Sequence, residues 1–114
     1  MKRHILVDGV RLNVYTATID HTKPYIVFLH DSLGCITLWR NFPDILAQAA
    51  QCNVMVYDRQ GYGESDAFTI IERHNDYLEK EAQTLDSLLA MLAIDVAILF
   101  GHSDGGSIAL LTAA

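Results

Sequence analysis

Apolar and polar positions alternate along residues 4–18, and the alternation is interrupted by Asp8-Gly9. A period of two is typical of a strand with one buried face. Asp-Gly readily adopts the positive backbone dihedrals of a type I′ turn. The pattern therefore predicts an antiparallel β-hairpin at the start of the chain.

Three continuous apolar runs follow, and each is rich in β-branched and aromatic residues. Runs of this length are too short for a helix and are typical of strands buried on both faces. They cover residues 25–30, 53–58 and 96–100. We expect three buried strands.

Apolar residues recur at helical spacing over residues 38–51 and 74–93, and a further helix is predicted over residues 104–114. Pro43 is expected in the first turn of the first helix, where its missing N–H is tolerated, and Trp39 and Phe42 are interpreted as core residues of that helix. The second helix has one apolar face. This face consists of Tyr77, Leu78, Ala82, Leu85, Leu88, Leu89 and Leu92.

Strands that alternate with helices pair in parallel through right-handed crossovers. The order of elements therefore predicts an α/β fold, a partial doubly wound and mostly parallel sheet with the antiparallel hairpin at one side. The chain contains no internal repeat, linker or low-complexity segment. Residues 1–114 are predicted to form a single domain.

Composition narrows the functional classes. With 51% hydrophobic and 19% charged residues, the chain does not resemble a disordered protein or a free coiled coil. The net charge is −6 and no basic cluster is longer than Lys2-Arg3, which argues against a nucleic-acid partner. The apolar runs are too short to span a bilayer, so we expect a soluble, cytoplasmic protein without a membrane partner. Cys35 and Cys52 lack metal-ligand spacing, and we expect reduced thiols, no metal and no cofactor.

The segment Gly101-His102-Ser103-Asp104-Gly105 joins the third predicted strand to the last helix. In that context G-x-S-x-G is a nucleophile elbow, a turn so tight that glycine is needed on either side of the serine. The serine then lies at the start of a helix, whose free N–H groups stabilise negative charge. Ser103 is predicted to be a catalytic nucleophile rather than a helix cap.

Acyl transfer through a serine passes through an oxyanion, which needs two preorganised hydrogen-bond donors. One is expected to be the backbone N–H of Asp104, directly after the nucleophile. The other is expected in the loop after the first buried strand, where Ser32 is best placed and where Asp31 and Gly34 shape the backbone. His30 is interpreted as tying down this loop, and proton transfer is its less favoured role.

The loop at residues 59–65 contains a Gly-x-Gly turn flanked by Asp58 and Ser65. As a dinucleotide-binding fingerprint it is incomplete, because Asp66 stands where the third glycine belongs and no helix follows at once. We predict a rigid loop that closes one wall of the site.

The chain resembles the N-terminal half of an α/β-hydrolase-fold protein over essentially its whole length. The resemblance is carried, in the family's order, by the hairpin, the LHDSLG loop, the helix near Leu38, the DRQGYGES turn and the GHSDGG elbow. It implies a serine hydrolase acting on a small carboxylic ester, lactone, thioester or activated C–C bond. Asp31 departs from the pattern, since many members have the glycine of an HG pair there. Some members attack with an aspartate at the tip of the elbow, but Ser103 holds that place here, which disfavours dehalogenase and epoxide hydrolase chemistry.

The family's chain order places the base and its orienting carboxylate after the nucleophile, and residues 106–114 contain no Asp, Glu or His. We therefore expect a domain incomplete at its C-terminus, from a hydrolase of roughly twice this length. The strand at residues 96–100 would then be an apolar edge open to pairing with a second copy of the chain. The alternative is a catalytically inert fragment or a non-catalytic binding protein of the same fold.

Overall fold

The N-terminal hairpin forms as the alternation predicts. The computed structural model describes residues 2–30, 35–59, 61–65, 77–102 and 104–113. In it β1 (Lys2–Val7) pairs antiparallel with β2 (Val10–Ala17). Asp8 and Gly9 have φ values of 50° and 81°, so both central residues of the turn occupy the left-handed region that a type I′ turn requires.

The alternation within β2 is less regular than predicted. Leu12, Asn13 and Val14 are all buried. Leu12 and Val14 belong to the apolar core on one face of the sheet. On the opposite face, the side chain of Asn13 is hydrogen-bonded to Glu64, in the loop after the next strand along the sheet. Polar contacts therefore cover the face that the pattern assigned to solvent.

Three further strands complete a mixed five-stranded sheet in the order β1-β2-β4-β3-β5. They are β3 (Tyr25–Leu29), β4 (Asn53–Tyr57) and β5 (Ala97–Gly101). Strand β2 pairs antiparallel with β4, whereas β3 pairs in parallel with both β4 and β5. The α/β class and the hairpin at one side of the sheet are confirmed. Because β3, β4 and β5 run in parallel, their carboxyl ends meet at one edge.

The helix predicted over residues 38–51 is two helices, α1 (Ile36–Trp39) and α2 (Phe42–Ala50). Arg40 lies between them with a φ of 56°. Pro43 explains the break, since it has no N–H for the carbonyl group four residues earlier and its ring clashes there. The chain restarts as a new helix with Pro43 in its first turn, which confirms that part of the prediction.

The two later helices are α3 (Tyr77–Met91) and α4 (Asp104–Ala113). The predicted start of α3 at residue 74 lies outside the described residues. The apolar face of α3 is confirmed, because Ala82, Leu85 and Leu88 are buried. Within the described part of the chain, no helix is both long enough and apolar enough to cross a membrane.

Apolar side chains pack on both faces of the sheet because successive residues of each strand point to opposite sides. One core lies under α3 and α4 and includes Leu12, Val14, Val27, Leu29, Met55, Tyr57, Leu85, Leu88 and Ile108. The other lies under α1 and α2 and includes Ile26, Phe28, Ala47, Cys52, Val54 and Val56. The cysteines are free thiols, as expected.

The strand predicted at residues 96–100 forms as β5. It is the apolar edge that the sequence also predicted, whereas burial on both faces is not found among the described residues. In the described part of the chain β5 pairs with β3 alone, and it forms one edge of the sheet. Val96 is 64%, Ile98 50% and Phe100 37% exposed. The apolar composition of this strand is typical of an inner strand, but its outer side has no neighbour among the described residues. Pairing with a second copy stays a prediction.

Candidate active site

In the connection between β5 and α4, the backbone at Gly101 lies very close to the backbone at Gly105, as a nucleophile elbow requires. A Cβ added at Gly101 would lie 2.3 Å from the carbonyl oxygen of Gly105, closer than a side chain tolerates. The Gly105 N–H donates a hydrogen bond to the His102 carbonyl oxygen at 3.0 Å. The chain thus turns back sharply between His102 and Gly105. Ser103, the predicted nucleophile, lies outside the described residues.

The elbow is fixed to the end of the neighbouring strand β3. Leu29 and Gly101 are partners in the parallel register. The His102 N–H donates to the Leu29 carbonyl oxygen at 3.1 Å. A Cβ on Gly105 would lie 2.0 Å from that same oxygen. Glycine is therefore needed at 101 and at 105 for packing reasons, as the G-x-S-x-G pattern predicts.

The predicted oxyanion donors are only partly within the described residues. Asp104 is the first residue of α4, and the N–H groups of a helix's first turn have no partner inside the helix. The Asp104 N–H therefore has no partner within α4, and its role as an oxyanion donor stays a prediction. Ser32 lies outside the described residues, together with Asp31 and Gly34.

His30 follows β3 and is 2% exposed. Its Nε2 accepts a hydrogen bond from the Arg59 backbone N–H at 3.0 Å. The imidazole ring also lies edge-on to the Tyr62 ring, with ring centroids 4.9 Å apart. The Arg59 guanidinium lies over the Tyr62 ring, 5.0 Å from its centroid. A nitrogen whose lone pair receives a backbone N–H is not available to take a substrate's proton. This contact ties the end of β3 to the loop after β4.

Asp58 is the residue whose importance the sequence did not reveal. It follows β4 and is 2% exposed, and its carboxylate accepts three hydrogen bonds from the described residues. The donors are the Ile36 backbone N–H at 2.6 Å, Asn13 Nδ2 at 3.0 Å and the Glu64 backbone N–H at 3.0 Å. A buried carboxylate held by several donors is a rigid junction, because each donor would lose its partner if the group moved. Asp58 thus joins β2, the start of α1 and the loop after β4.

The loop at residues 61–65 is held against Asp58 by two further features. Ser65 Oγ donates to the Asp58 carbonyl oxygen at 2.5 Å and accepts from the Asn13 N–H at 2.8 Å. Gly63 has a φ of 50°, and a Cβ there would lie 2.3 Å from Asp58 Oδ2. The described part of this loop is therefore held in place by hydrogen bonds, and its predicted role as one wall of the site stays a prediction. A polar residue directly after a buried strand is the one sequence feature that points to Asp58.

Four aromatic rings cluster on the α1 and α2 side of the sheet. Phe28 contacts Trp39 and Phe100 at centroid distances of 5.4 Å, and Trp39 stacks on Phe42 at 6.2 Å. Phe42 is 42% exposed, so its assignment to the core is wrong, whereas Trp39 is half-buried. Phe42 contacts the other three rings of the cluster, and the rest of its surface is exposed.

Comparison with known proteins places the chain in a family. The family model described as "Alpha/beta hydrolase family" matches residues 26–114. The mouse protein named sn-1-specific diacylglycerol lipase ABHD11 is 33% identical over 96 residues, which cover 82% of this chain and 29% of the mouse protein. Human Epoxide hydrolase 4 is 32% identical over 107 residues, which cover 93% of this chain and 28% of the human protein.

Among solved structures, Est816, described as an N-acyl homoserine lactone degrading enzyme, superimposes with a TM-score of 0.78 at 28% identity. The match covers 96% of this chain and 39% of Est816. The chain therefore spans about a third of the length of these proteins. Since the family model covers most of the chain and the fold agrees with it, the chain belongs to the α/β hydrolase family.

Proposed function

We propose that this chain carries the nucleophile of a serine hydrolase, which forms an acyl-enzyme on Ser103. The substrate class is a small carboxylic ester, a lactone, a thioester or an activated C–C bond. The observation that carries the proposal is the elbow between β5 and α4, where Gly101 and Gly105 pack too closely for any side chain. In the sequence, Ser103 lies midway between these glycines and directly precedes Asp104, the first residue of α4.

In the proposed reaction, Ser103 Oγ attacks the carbonyl carbon and gives up its proton to a general base. The oxyanion that forms is held by the backbone N–H groups of Asp104 and Ser32. Its collapse expels the leaving group, which takes a proton from the protonated base, and water then hydrolyses the acyl-enzyme. Residues 106–114 contain no Asp, Glu or His, so the base and its carboxylate partner are proposed to come from the part of the fold that these residues do not include.

The relatives support cleavage of an ester-type bond. One is named a diacylglycerol lipase and another is described as degrading a lactone, and both names refer to carboxylic esters. A second candidate function is epoxide opening, favoured by the similarity to Epoxide hydrolase 4. That chemistry in this fold attacks with a carboxylate at the elbow tip, where this chain has Ser103.

The test is covalent labelling of the full-length protein with a fluorophosphonate probe, in which the serine oxygen attacks phosphorus and fluoride leaves. We expect labelling of the wild type, mapped by mass spectrometry to the peptide that contains Ser103, and none of Ser103→Ala. Ser107→Ala is the matched control, because Ser107 is an exposed serine of α4, four residues after Ser103 in the sequence, and this variant should be labelled like the wild type.

Equal labelling of wild type and Ser103→Ala would refute a Ser103 nucleophile. A wild type that is folded and not labelled favours the non-catalytic binding protein. Hydrolysis of an aryl epoxide that survives Ser103→Ala would favour the epoxide reading instead.

A further inference from the structure

A cleft of about 200 Å³ lies on the α1 and α2 side of the sheet, and residues of β1, β2 and β4 line one of its walls. Its floor is apolar, because Pro43 and Val56 are buried and Ile36 is half-buried. Lys2 and Tyr15 are partners in the register of β1 and β2, and Tyr15 and Val56 are partners in that of β2 and β4. Opposite residues project their side chains to the same face of a sheet. The wall formed by the sheet is therefore a row that runs from an ammonium group to an apolar side chain.

Two cationic side chains line the cleft. Lys2 belongs to β1, and Arg40 lies between α1 and α2 on the opposite wall. Both are exposed, and neither side chain has an ion pair or a hydrogen bond with the residues that the structure describes. The chain as a whole has 14 acidic and 8 basic residues. Unpaired cations above an apolar floor therefore give this cleft a charge opposite in sign to that of the chain.

The acidic residue that lines the cleft, Asp44, is already engaged by Tyr15. The Tyr15 hydroxyl donates to the Asp44 carboxylate and lies 2.9 Å from Oδ1 and 3.2 Å from Oδ2. Burial, the hydrogen bond to Asp44 and the charge of Asp44 all raise the pKa of the Tyr15 hydroxyl, so it stays protonated and keeps donating. The carboxylate thus has a donor within the protein, and the two cations outnumber it.

We propose that this cleft binds a small carboxylate with a short apolar chain, at a site separate from the elbow. The ligand carboxylate would lie between Lys2 and Arg40, whose guanidinium can donate two parallel hydrogen bonds to it. The apolar chain would cover Pro43 and Val56. Sites for drug-sized ligands measure about 300–1,000 Å³, so the smaller cleft suits a ligand of about six carbons. None of the lining residues belongs to the elbow, and the inference does not depend on the proposed function.

The test is an NMR titration of the isotopically labelled full-length protein with sodium hexanoate. We expect the backbone amide signals of Tyr15, Arg40 and Asp44 to shift together, with a Kd of about 1 mM. Hexanol has the same chain without the charge, and hexylammonium has the opposite charge. Both should bind at least about 10-fold more weakly, and added NaCl should weaken hexanoate binding because it screens exposed charges.

Substitution of the cations tests the charged part of the site. Lys2→Gln and Arg40→Gln should each raise the Kd for hexanoate by about 3-fold, and the double variant should raise it by about 10-fold. Arg3→Gln is the matched control. It changes the net charge equally, but Arg3 follows Lys2 in β1 and projects to the other face of the sheet. Its Kd should equal that of the wild type.

Asp44→Asn tests the same electrostatics with the opposite sign. The asparagine keeps an oxygen that can accept the Tyr15 hydroxyl, but it has no negative charge. Hexanoate should therefore bind about 3-fold more tightly than to the wild type. Lys2, Arg3, Arg40 and Asp44 are all exposed, so we expect each variant to fold.

Three outcomes would overturn the proposal. The first is a wild type whose Tyr15, Arg40 and Asp44 signals do not move at about 20 mM hexanoate, including a titration in which only signals of the elbow shift. The second is an Arg3→Gln variant that loses as much affinity as Arg40→Gln, since net charge alone would then explain the binding. The third is inorganic phosphate binding more tightly than hexanoate, which would show that the apolar floor takes no part.

Discussion

Replacing Gly105 by alanine tests the packing of the elbow. The new Cβ would lie 2.0 Å from the Leu29 carbonyl oxygen and 2.8 Å from that of His30. Non-bonded atoms settle about 3.5 Å apart, so one backbone must retreat by roughly 1.5 Å. Leu29 is the last residue of a strand between β4 and β5 and is fully buried. It has no free space to retreat into.

The cost has two parts. Overpacking of a rigid site costs about 1–3 kcal/mol. Moving the Leu29 carbonyl also breaks its hydrogen bond from the His102 N–H, which adds about 1 kcal/mol. We therefore expect Gly105→Ala to lower the free energy of unfolding by about 3 kcal/mol, the sum of these effects.

The neighbouring glycine, Gly106, provides a control for which the expected change in the free energy of unfolding has the opposite sign. Gly106 lies in the same helix, and a Cβ there would be 3.8 Å from the Gly101 carbonyl oxygen, an ordinary contact. Alanine is favoured over glycine inside a helix by about 0.5–1 kcal/mol. Gly106→Ala should therefore be neutral or slightly stabilising.

Urea denaturation measures both effects. Unfolding is followed by far-UV circular dichroism and by the fluorescence of Trp39, the single tryptophan of the chain. The free energies of the two variants should differ by about 4 kcal/mol. The reasoning fails if Gly105→Ala unfolds within about 0.5 kcal/mol of the wild type, or if Gly106→Ala loses as much stability.

Two further predictions concern the loop before β3. Asn53 is fully buried, and its amide donates to the carbonyl oxygens of Asp20 and Lys23 and accepts the N–H groups of Ile19 and Asp20. Asn53→Ala should lower the free energy of unfolding by about 3 kcal/mol in urea titration, because it removes four hydrogen bonds that hold this loop against β4, and a loss below about 0.5 kcal/mol would contradict this. Hydrogen bonds from the Thr22 hydroxyl and amide hold the pKa of the Asp20 carboxyl below its ordinary value. The resulting stability is complete above the ordinary pKa and is lost as the pH falls through the lower folded one. NMR titration should show the pKa of Asp20 rising in Thr22→Val, and an unchanged pKa would show that the hydroxyl does not cause the shift.

The fold could be predicted from the sequence where local pattern and tertiary position agree. The hairpin follows from the Asp8-Gly9 turn, and β3 and β4 follow from apolar runs that the structure buries. The apolar run of β5 likewise predicts a strand buried on both faces, but β5 is a partly exposed edge strand. Composition indicates that a strand is suited to a buried position, but it does not show which neighbouring strands are present. The break after Trp39 was missed because apolar spacing continues across it while Pro43 interrupts the backbone hydrogen bonds.

The site could be predicted in part. Glycine is required at positions 101 and 105 mainly because of close contacts around one short turn. A short sequence motif can therefore predict these two residues. The role of Asp58 depends on Asn13, Ile36 and Glu64, which come from three separate segments. In β2, Asn13 is one polar position within an alternating strand, and its partner is 45 residues away. Contacts of this kind are set by topology, and a single sequence contains no local pattern for them.

The strand order has a consequence for how the chain folds. Strand β3 lies between β4 and β5, and β5 is synthesised after both β3 and β4. During translation one side of β3 stays open after β4 has paired with it, until residues 97–101 leave the ribosome. Contacts between such distant segments form slowly, and an open apolar edge is prone to aggregation meanwhile. The elbow, which depends on Leu29 for its packing, therefore cannot form until β5 has been synthesised and has paired with β3.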